Sequence, residues 1–542
     1  MGAQRNLEPS RAYIRGRADG SNSADVPIAG RPSPATPAEG FMSSIISGKR
    51  SHLENTNGPV NNKRRLTLRP CTKVDSSKWT GLQRPNFLSL PEDIVSRITA
   101  DLTVKEAVRM SVVCSKLRRA WTYQPNLDFD SSTMHVNVVS TQHVRGCTGK
   151  ARRDQSSDRH HRMLGIKRFI DMVNHILSKH SGLTVNRFSV TFELRKEHAN
   201  DIDGWVSFAI ASKAKVVILD FSPYRGPYED NYSFPYHLFN HQNTSYLQVL
   251  RLSSVTLGPN PDISGFANLT TLDLEHVLVM QDLHYLLLKC PALEWLSIRL
   301  CSLPHNLHAA EPLHLLKFLC VQDCAVNKIE LNAPNLTTFE YRGTSNVLIA
   351  LHKCLKLKTA GIYFHVEDNL GYVFTGLPNA LPNVETLHVR ANVMTQIHGF
   401  AQAPLKFIYL KHLIMKLTFS STKRFGKNAI LQLAYLLEAA PFLMDLHLDM
   451  LCVSFCDGRP QHDVIIDRTH HNLKRVFMTG FVGNGGQVAL VKYILRNAVQ
   501  LERMAIDPKG KIMDQMLGEY EGHRSAMSKL MPADKNGVLV IL

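Results

Sequence analysis

Two stretches, LEWLSIRLCSL at residues 293–303 and LKFLCVQDCAV at residues 316–326, carry the same apolar pattern. In both, apolar residues stand at the first, fourth, sixth, ninth and eleventh positions, and the ninth is a cysteine. The fourth and sixth positions are two residues apart, which suits a short strand with one buried face, and the first packs against the turn leading into it. The pattern therefore predicts a structural unit that is repeated along the chain.

Shorter copies of this pattern recur about every 20 to 33 residues through the last two-thirds of the sequence. They begin at Val185, Ala214, Leu247, Leu269, Leu293, Leu316, Leu336, Leu357, Val384, Leu410, Leu443, Leu473 and Leu501. This spacing is typical of leucine-rich repeats. We therefore predict an α/β fold with a horseshoe-shaped solenoid over residues 185–507. Such a solenoid offers one long concave surface and no built-in reaction centre, so it favours binding over catalysis.

The composition is that of a globular protein, with 44% apolar residues in a chain of 542. No run approaches the roughly 18 uninterrupted apolar residues that a membrane span needs, and the N-terminus lacks the apolar core of a secretory signal. We expect a nuclear and/or cytoplasmic protein with no membrane partner. Its ten cysteines should then be reduced thiols, and their spacing completes no zinc site, so we expect no metal and no other cofactor.

The net charge of +17 is unevenly distributed along the sequence. Residues 1–85 contribute +8 and residues 145–168 contribute +6, which leaves only +3 for the rest of the chain. A nearly neutral solenoid does not fit a nucleic-acid clamp, whose affinity comes chiefly from clustered contacts to phosphates. We therefore do not expect nucleic acid as a partner.

Residues 1–85 are rich in Gly, Ser, Pro, Asn and Arg and show no sustained apolar period, which predicts a disordered basic tail. Within it, Lys49-Arg50 and Lys63-Arg64-Arg65 flank a polar spacer of twelve residues. Clusters of basic residues are one form of nuclear localisation signal. A solvated basic tail and an Arg-rich organelle presequence remain open as alternatives.

Residues 86–125 are predicted to form three short helices. The stretches Ser89–Glu92 and Thr103–Glu106 each have the pattern of a capping box, and apolar residues at helical spacing follow both. Pro125 ends the third helix. Helices this short bury little surface alone, so the segment is expected to need a partner.

The sequence LSLPEDIVSRITADLTVKEAVRMSVVCSKLRRAW, residues 88–121, resembles the F-box of ubiquitin-ligase receptors. It departs from the F-box pattern at Thr103, where proline is usual, and at Leu117, where many members have tryptophan. The stretch from His471 to Asp507 resembles an FBD-like region, which would occupy about residues 440–507. Together these features are similar to those of plant F-box proteins with leucine-rich repeats.

This resemblance implies a non-catalytic substrate-recognition subunit of an SCF-type ubiquitin ligase, with no enzyme activity of its own. The F-box would bind a Skp-type adaptor, and through it a cullin, while the repeats hold an unknown target protein. The adaptor-binding residues would be Leu90, Pro91, Ile94, Ile98, Val113, Leu117 and Trp121. Two alternatives remain open: a nuclear scaffold that binds protein or RNA and has a degenerate F-box, and a sensor of a small ligand.

The repeat geometry also predicts a target-binding surface. If the apolar positions of each strand point inward, the residues between them line the concave face. Six residues of the middle repeats are predicted to form the target site: Trp295, Arg299, Phe318, Arg342, Arg390 and Lys416. Arginines beside aromatic residues favour a protein-binding hot spot, and their partner would be an acidic or phosphorylated segment. A solvated face with incidental charges is the alternative.

Residues 126–184 are predicted to connect the helices to the repeats and to cap the first repeat, with strands at 126–129 and 135–139, a basic loop at 146–161 and a helix at 169–177.

The C-terminal residues 508–542 are predicted to be a polar tail whose last five residues add an edge strand. Gly483–Gly486 lacks the Lys and Ser/Thr of a phosphate loop, and is interpreted as a turn before a helix at residues 487–497. No motif of a known catalytic site is present in the sequence.

Overall fold

The computed structural model describes most of the chain from Pro91 onward. The described residues are 91–100, 102–111, 117–134, 136, 155–181, 184–222, 228–239, 246–259, 264–304, 306–309, 311–344, 347–368, 370–393, 406–419, 428–431, 433–452, 468–509, 511–512, 515–516 and 519–542. The predicted localisation signal lies outside these residues, as do Leu90 and Val113.

Within the described residues, fifteen strands form one parallel sheet, here called the main sheet, in which the strands follow one another in chain order. Its strands are Asn126–Asp130, Arg187–Thr191, Val216–Asp220, Val249–Ser253, Thr271–Glu275, Trp295–Arg299, Phe318–Gln322, Thr338–Gly343, Thr359–Asp368, Thr386–Val393, His412–Phe419, Asp445–Cys452, Arg475–Thr479, Arg503–Asp507 and Leu539–Ile541. The predicted α/β solenoid of leucine-rich repeats is confirmed.

Alternate side chains along the strands of the main sheet point into the core, and some of those between them, such as Ser297 and Cys320, are buried as well. Leu296 and Ile298 are fully buried, and they pair in register with Leu319 and Val321 of the next strand. Burying each such side chain contributes roughly 1.5 to 3 kcal/mol. A slip by one residue would move these side chains to the solvent face, so the apolar pattern specifies the register.

The chain leaves the main sheet in the same way in four consecutive repeats. The residue after the strand has a φ of 53° to 56°, in the left-handed region, and these residues are Ser254, His276, Leu300 and Asp323. Each of their amides donates to the carbonyl oxygen of one of the last two residues of the next strand, as Leu300 N does to Gln322 O at 2.8 Å. The turn therefore continues the ladder of hydrogen bonds for one residue beyond the sheet.

Cys301 and Cys324 follow two of these turns and are buried at the corner between repeats. The Cys324 thiol donates to the carbonyl of Ile298 in the preceding repeat at 3.6 Å, and the Cys301 thiol contacts the carbonyl of Leu274 at 3.5 Å. The cysteines at the ninth position of the repeat therefore serve a structural role.

Helices connect many of the repeats. Among the described residues they are α1 Glu92–Ala100, α2 Val104–Met110, α3 Gln155–Lys179, α4 Ala199–Ala211, α5 His284–Leu287, α6 Leu370–Thr375, α7 Leu377–Ala380, α8 Asn428–Leu431, α9 Ala434–Ala439, α10 Gly485–Asn497 and α11 Glu519–Lys529. They pack on one another, α3 on α4 and α10 on α8 and α9. No helix in the described part of the chain is long and apolar enough to cross a membrane.

Short strands and 3-10 helices complete the repeats. Two parallel three-stranded sheets comprise Tyr232–Ser233, Val255–Leu257 and Leu278–Val279, and Asn306–His308, Lys328–Asn332 and Leu348–His352. An antiparallel pair joins Lys511–Ile512 to Gln515–Met516. The 3-10 helices are Leu117–Tyr123, Lys196–His198, Tyr228–Asp230, Tyr236–Leu238 and Met531–Ala533.

The main sheet extends beyond residues 185–507 at both ends. Its first strand, Asn126–Asp130, pairs with Arg187–Thr191, so the segment predicted as a connection already supplies one strand of the solenoid. Its last strand, Leu539–Ile541, pairs with Arg503–Asp507, as the predicted edge strand does. The helix α11 lies between these two strands, in a segment that was expected to be only a polar tail.

The helix α3 begins at Gln155 rather than near Phe169, so part of the predicted basic loop is helical. Arg162 on α3 forms an ion pair with Glu193, with 2.5 Å between Nη2 and Oε2. The ring of Phe169 stacks on Phe192 at 3.9 Å. These contacts attach the helix to the segment that directly follows the second strand of the main sheet.

Buried His470 makes the stability of the solenoid depend on pH. Its side chain is 9% exposed, and its Nε2 lies 2.7 Å from the Tyr493 hydroxyl. Burial, followed by the neighbouring His471, lowers the pKa of His470 to about 4. The pKa of a histidine in an unfolded chain is about 6.5. Between pH 6.5 and pH 4 (about the pKa values of the unfolded and folded states) the unfolded chain therefore binds more protons than the folded chain. The folded state accordingly loses stability as the pH falls through this range.

We therefore expect His470→Gln, which keeps a hydrogen-bonding side chain but cannot be protonated, to be less sensitive to acid than the parent. Between pH 7 and pH 5 the free energy of unfolding should fall by about 2 kcal/mol less in this variant. Urea denaturation at the two pH values measures the difference. Exposed His237 supplies the control, because His237→Gln should keep the pH dependence of the parent. If the parent and His470→Gln show the same pH dependence, His470 is not the source of the pH-dependent stability.

Candidate functional site

Three helical segments, α1, α2 and the 3-10 helix Leu117–Tyr123, pack together at the start of the described chain. The helix α2 begins with the predicted capping box, in which the Thr103 amide donates to Glu106 Oε2 at 2.9 Å and the Glu106 amide donates to Thr103 Oγ1 at 3.3 Å. The hydrogen bonds from Thr103 lower the pKa of the Glu106 carboxyl. Threonine at this position therefore replaces the usual proline with a side-chain cap.

The buried side chain of Gln124 joins this helical unit to the solenoid. Its Nε2 donates to the carbonyl oxygens of Thr99 at 2.9 Å and Ala100 at 3.3 Å, which lie at the end of α1. Its own backbone carbonyl accepts from the ring of His180, just after α3, at 3.0 Å. The first strand of the main sheet follows two residues later, so the helical unit is held in a fixed position against the repeats.

The structure locates five of the predicted adaptor-binding residues. On α1 and just before it, Pro91 and Ile98 are exposed and Ile94 is half-buried, and Ile98 is 43% exposed. Leu117 is a correction, because its side chain is 1% exposed and packs inside the helical unit. In this arrangement the Leu117 side chain is not available for direct contact with a partner. Trp121 is half-buried.

Trp121 lies in the wall of a groove of about 670 Å³ between the helical unit and α3. Val108 of α2 and Leu164 of α3 line the groove and are exposed. The sequence prediction missed the first half of α3, although Ile166 is buried there and continues the helical spacing of Phe169, Ile170 and Val173. An apolar surface therefore continues from the helical unit onto α3.

Parallel pairing in register aligns the solvent-facing residues of the main sheet into columns. The column with the predicted cations, here called the charged column, passes through Arg299, Gln322, Arg342, Tyr363, Arg390, Lys416, Asp449, Thr479 and Asp507. Neighbouring strands lie about 4.8 Å apart. The four predicted cations therefore stand in one line on the concave face.

Two of these cations are already neutralised within the chain, which corrects the expectation that all four are available. Arg299 Nη2 lies 2.9 Å from a Glu275 carboxylate oxygen and 3.2 Å from one of Asp273. Arg342 Nε lies 3.5 Å from Asp323 Oδ2. An acidic target would have to displace these carboxylates, so both arginines are poor anchors for it.

The predicted aromatic anchor also needs correction. The rings of Trp295 and Phe318 stack on each other with 3.6 Å between centroids and 13° between planes. Phe318 is only 7% exposed as a result, and Trp295 is half-buried. Trp295 therefore keeps part of its side chain accessible to solvent, and Phe318 packs beside it on the neighbouring strand.

Arg390 and Lys416 are exposed and pair in register with each other. Neither forms an ion pair with another described residue. Burial, with the charge of Lys416, lowers the pKa of the adjacent His388, so that ring is neutral at pH 7. Arg390 and Lys416 are thus the members of the predicted target site that can bind an anion without displacing a carboxylate.

Burial raises the pKa of some of the described thiols, whereas the hydrogen bond with Cys301 lowers that of Cys324. Cys290, Cys301, Cys320, Cys324 and Cys354 are all buried. Burial raises the pKa of Cys290 to about 12 and that of Cys320 also to about 12, so both thiols are protonated at neutral pH. Among the described residues, no group of His, Cys, Asp and Glu is arranged to hold a metal ion.

A three-helix unit fixed to a solenoid of leucine-rich repeats defines the class of F-box proteins with leucine-rich repeats. A model of the F-box domain matches residues 87–129, and a model of the At1g61320/AtMIF1 LRR domain matches residues 176–541. The second match covers most of the sequence. The chain belongs to the family with the At1g61320/AtMIF1 LRR domain, and it carries an F-box before that domain.

Similar proteins from Arabidopsis thaliana have the same two parts in their names. The F-box/FBD/LRR-repeat protein At1g13570 is 28% identical, and the match covers 40% of this chain and 44% of that relative. The putative F-box/LRR-repeat protein At3g44810 is 24% identical over 67% of this chain and 77% of its own length. The putative F-box/LRR-repeat protein At5g54820 is 23% identical, and the match covers 77% of this chain and 89% of that relative.

Proposed function

We propose that this protein is the non-catalytic substrate-recognition subunit of an SCF-type ubiquitin ligase. The observation that carries this proposal is the fixed attachment of an F-box, with exposed apolar residues on α1, to an open concave sheet. Gln124 makes that attachment. In this role the protein holds a target at a set distance from another subunit that transfers ubiquitin, so its contribution to catalysis is proximity.

The F-box would bind a Skp-type adaptor through the apolar residues of α1. Ile98 is exposed and Ile94 is half-buried, and Leu90 and Pro91 precede them in the sequence. Burying apolar side chains of this size contributes roughly 1.5 to 3 kcal/mol each. The adaptor would in turn bind the cullin.

The target would bind the concave face, where Arg390 and Lys416 are available for an acidic or phosphorylated segment. Guanidinium groups bind such anions bidentately. Beyond Lys416, the charged column continues with two carboxylates, Asp449 and Asp507. Both accept hydrogen bonds from within the chain.

Reconstitution with a purified Skp-type adaptor and a cullin tests the proposal. We expect the full-length chain to elute with both proteins in size-exclusion chromatography, and the complex to direct ubiquitin onto proteins recovered with it from cells in which the proteasome is blocked. A folded chain that elutes apart from the adaptor would support the alternative of a scaffold with a degenerate F-box.

Nuclear entry is proposed to depend on the two basic clusters of the N-terminal tail. Changing Lys63, Arg64 and Arg65 to alanine should leave a fluorescent fusion largely cytoplasmic, because import depends on clusters of basic residues. Fluorescence microscopy of the parent and the variant measures the nuclear fraction. The control changes Arg11, Arg15 and Arg17 to alanine, which removes the same charge elsewhere in the tail. A variant that remains nuclear, or a parent that never enters the nucleus, would refute the proposal.

A further inference from the structure

A second groove, of about 560 Å³, lies on the concave face towards the C-terminal end of the main sheet. Its floor is formed by Ile414, His447, Phe477 and Ala505. These four residues occupy matching positions on four consecutive strands, because Ile414 pairs with His447, His447 with Phe477, and Phe477 with Ala505. The groove therefore runs across the strands, and the small side chain of Ala505 leaves room at one end.

The floor of this groove is apolar. The ring of His447 packs against Phe477 with 4.8 Å between centroids, and burial lowers the pKa of His447, so its ring is neutral at pH 7. His447 Nε2 is buried without a hydrogen-bond partner among the described residues. A buried polar atom without a partner is costly, and a bound peptide group could satisfy it.

One wall of the groove carries an arginine, Arg503, that has no carboxylate partner in the described part of the chain. Arg475 makes two hydrogen bonds to Asp445, at 2.5 Å and 2.8 Å, and His412 Nδ1 lies 2.7 Å from the same carboxylate. Asp445 is thus fully engaged. Arg503 stands beside Arg475 in register, is exposed and forms no ion pair with the described residues. Arg503 can therefore bind an anion without displacing a carboxylate, whereas Arg475 cannot.

The other side of the floor carries charges of both signs. Lys416 is two residues from Ile414 on the same strand and pairs in register with Arg390. Asp449 and Asp507 are likewise two residues from His447 and Ala505. Of the described residues that line the groove, Arg503 is therefore the cation available at its Ala505 end, which fits a ligand with an apolar centre and an acidic group on the Arg503 side.

We propose that this groove is the target subsite and takes an extended peptide segment from the target protein. A bulky apolar side chain of the segment enters the groove above Phe477 and Ala505, and an acidic side chain next to it binds Arg503. This inference rests on the proposed function, and it moves the recognition site from the middle repeats, where Arg299 and Arg342 are neutralised, to the C-terminal repeats.

Selection of a phage-displayed library of random peptides on the full-length protein tests the proposal. We expect the enriched peptides to place Asp or Glu within two residues of a Phe, Leu, Met or Trp. A synthetic peptide with the enriched sequence should bind Arg503→Glu and Ala505→Trp at least about tenfold more weakly than the parent. Arg496 is an exposed arginine on α10, and the matched control Arg496→Glu should bind within about twofold of the parent.

Three outcomes would overturn the proposal: no enrichment, enrichment of sequences without acidic residues, or equal binding by the parent and Arg503→Glu. Thermal unfolding checks the fold of each variant. If Ala505→Trp does not fold, peptide binding by Arg503→Glu, which changes an exposed residue, is the test of the groove. Adaptor binding is measured on the same preparations, so failure of the proposed function, seen as loss of adaptor binding, is distinguished from failure of the groove, seen as loss of peptide binding alone.

Discussion

Changing Ile98 to aspartate should weaken capture of the Skp-type adaptor by at least about a hundredfold. Ile98 is 43% exposed on α1, so the change leaves the packing of the F-box intact. In the proposed complex the isoleucine is buried against the adaptor, which contributes roughly 1.5 to 3 kcal/mol. An aspartate there loses this contribution and also leaves a carboxylate without a partner in an apolar interface. Calorimetric titration with the purified adaptor gives the dissociation constants.

Two further variants show whether the loss comes from the interface itself. Leu355 is 77% exposed in the repeats, and Leu355→Asp makes the same chemical change outside the F-box, so its affinity should equal that of the parent. Leu117→Ala should also weaken adaptor capture, but by loosening the core of the helical unit, and should therefore lower the unfolding temperature. Unchanged affinity of Ile98→Asp would exclude α1 as the adaptor surface.

The F-box shows which features can be predicted from sequence. The capping box of Thr103 and Glu106 is local, because its two residues lie one helical turn apart, and its hydrogen bonds were predicted from spacing alone. The burial of Leu117 is not local. It depends on how the 3-10 helix packs on α1 and α2, and the spacing of apolar residues within each helix does not specify that packing.

The same distinction holds on the concave face. A regular repeat brings equivalent residues into register, so the alignment of Arg390 and Lys416 follows from the sequence period. The neutralisation of Arg299 does not, since its partners Asp273 and Glu275 belong to the preceding repeat and contact it across the sheet.

The C-terminal groove had no signal in the sequence. Its floor depends on the relative sizes of side chains on four strands, and Ala505 makes space only because Phe477 and His447 stand beside it. The helix α3 is different, because its buried residues already have helical spacing. The same spacing continues upstream from Phe169 to Ile166, so the sequence itself indicates that the helix begins before Phe169.

The second large effect is expected at Gly480, where Gly480→Ala should destabilise the solenoid by about 3 kcal/mol or more. Gly480 directly follows the strand Arg475–Thr479, where the chain leaves the sheet, and its φ is +71°. A Cβ atom at Gly480 would lie 2.1 Å from the carbonyl oxygen of Met450. This neighbour is backbone of the preceding strand, which cannot move without distorting the hydrogen bonds of the sheet.

Gly537 separates the two causes of this destabilisation. Its φ is +67°, but a Cβ atom at Gly537 would have no atom within 4 Å, so Gly537→Ala should cost only the left-handed strain of roughly 1 to 2 kcal/mol. Denaturant unfolding of both variants measures the difference, which is the steric cost at Gly480. Ser254, His276, Leu300 and Asp323 occupy the same position in earlier repeats and also have positive φ. A side chain is therefore compatible with this turn, and glycine is required at residue 480 because the Met450 carbonyl approaches it. Equal destabilisation of the two variants would show that the approach of this carbonyl has no energetic consequence.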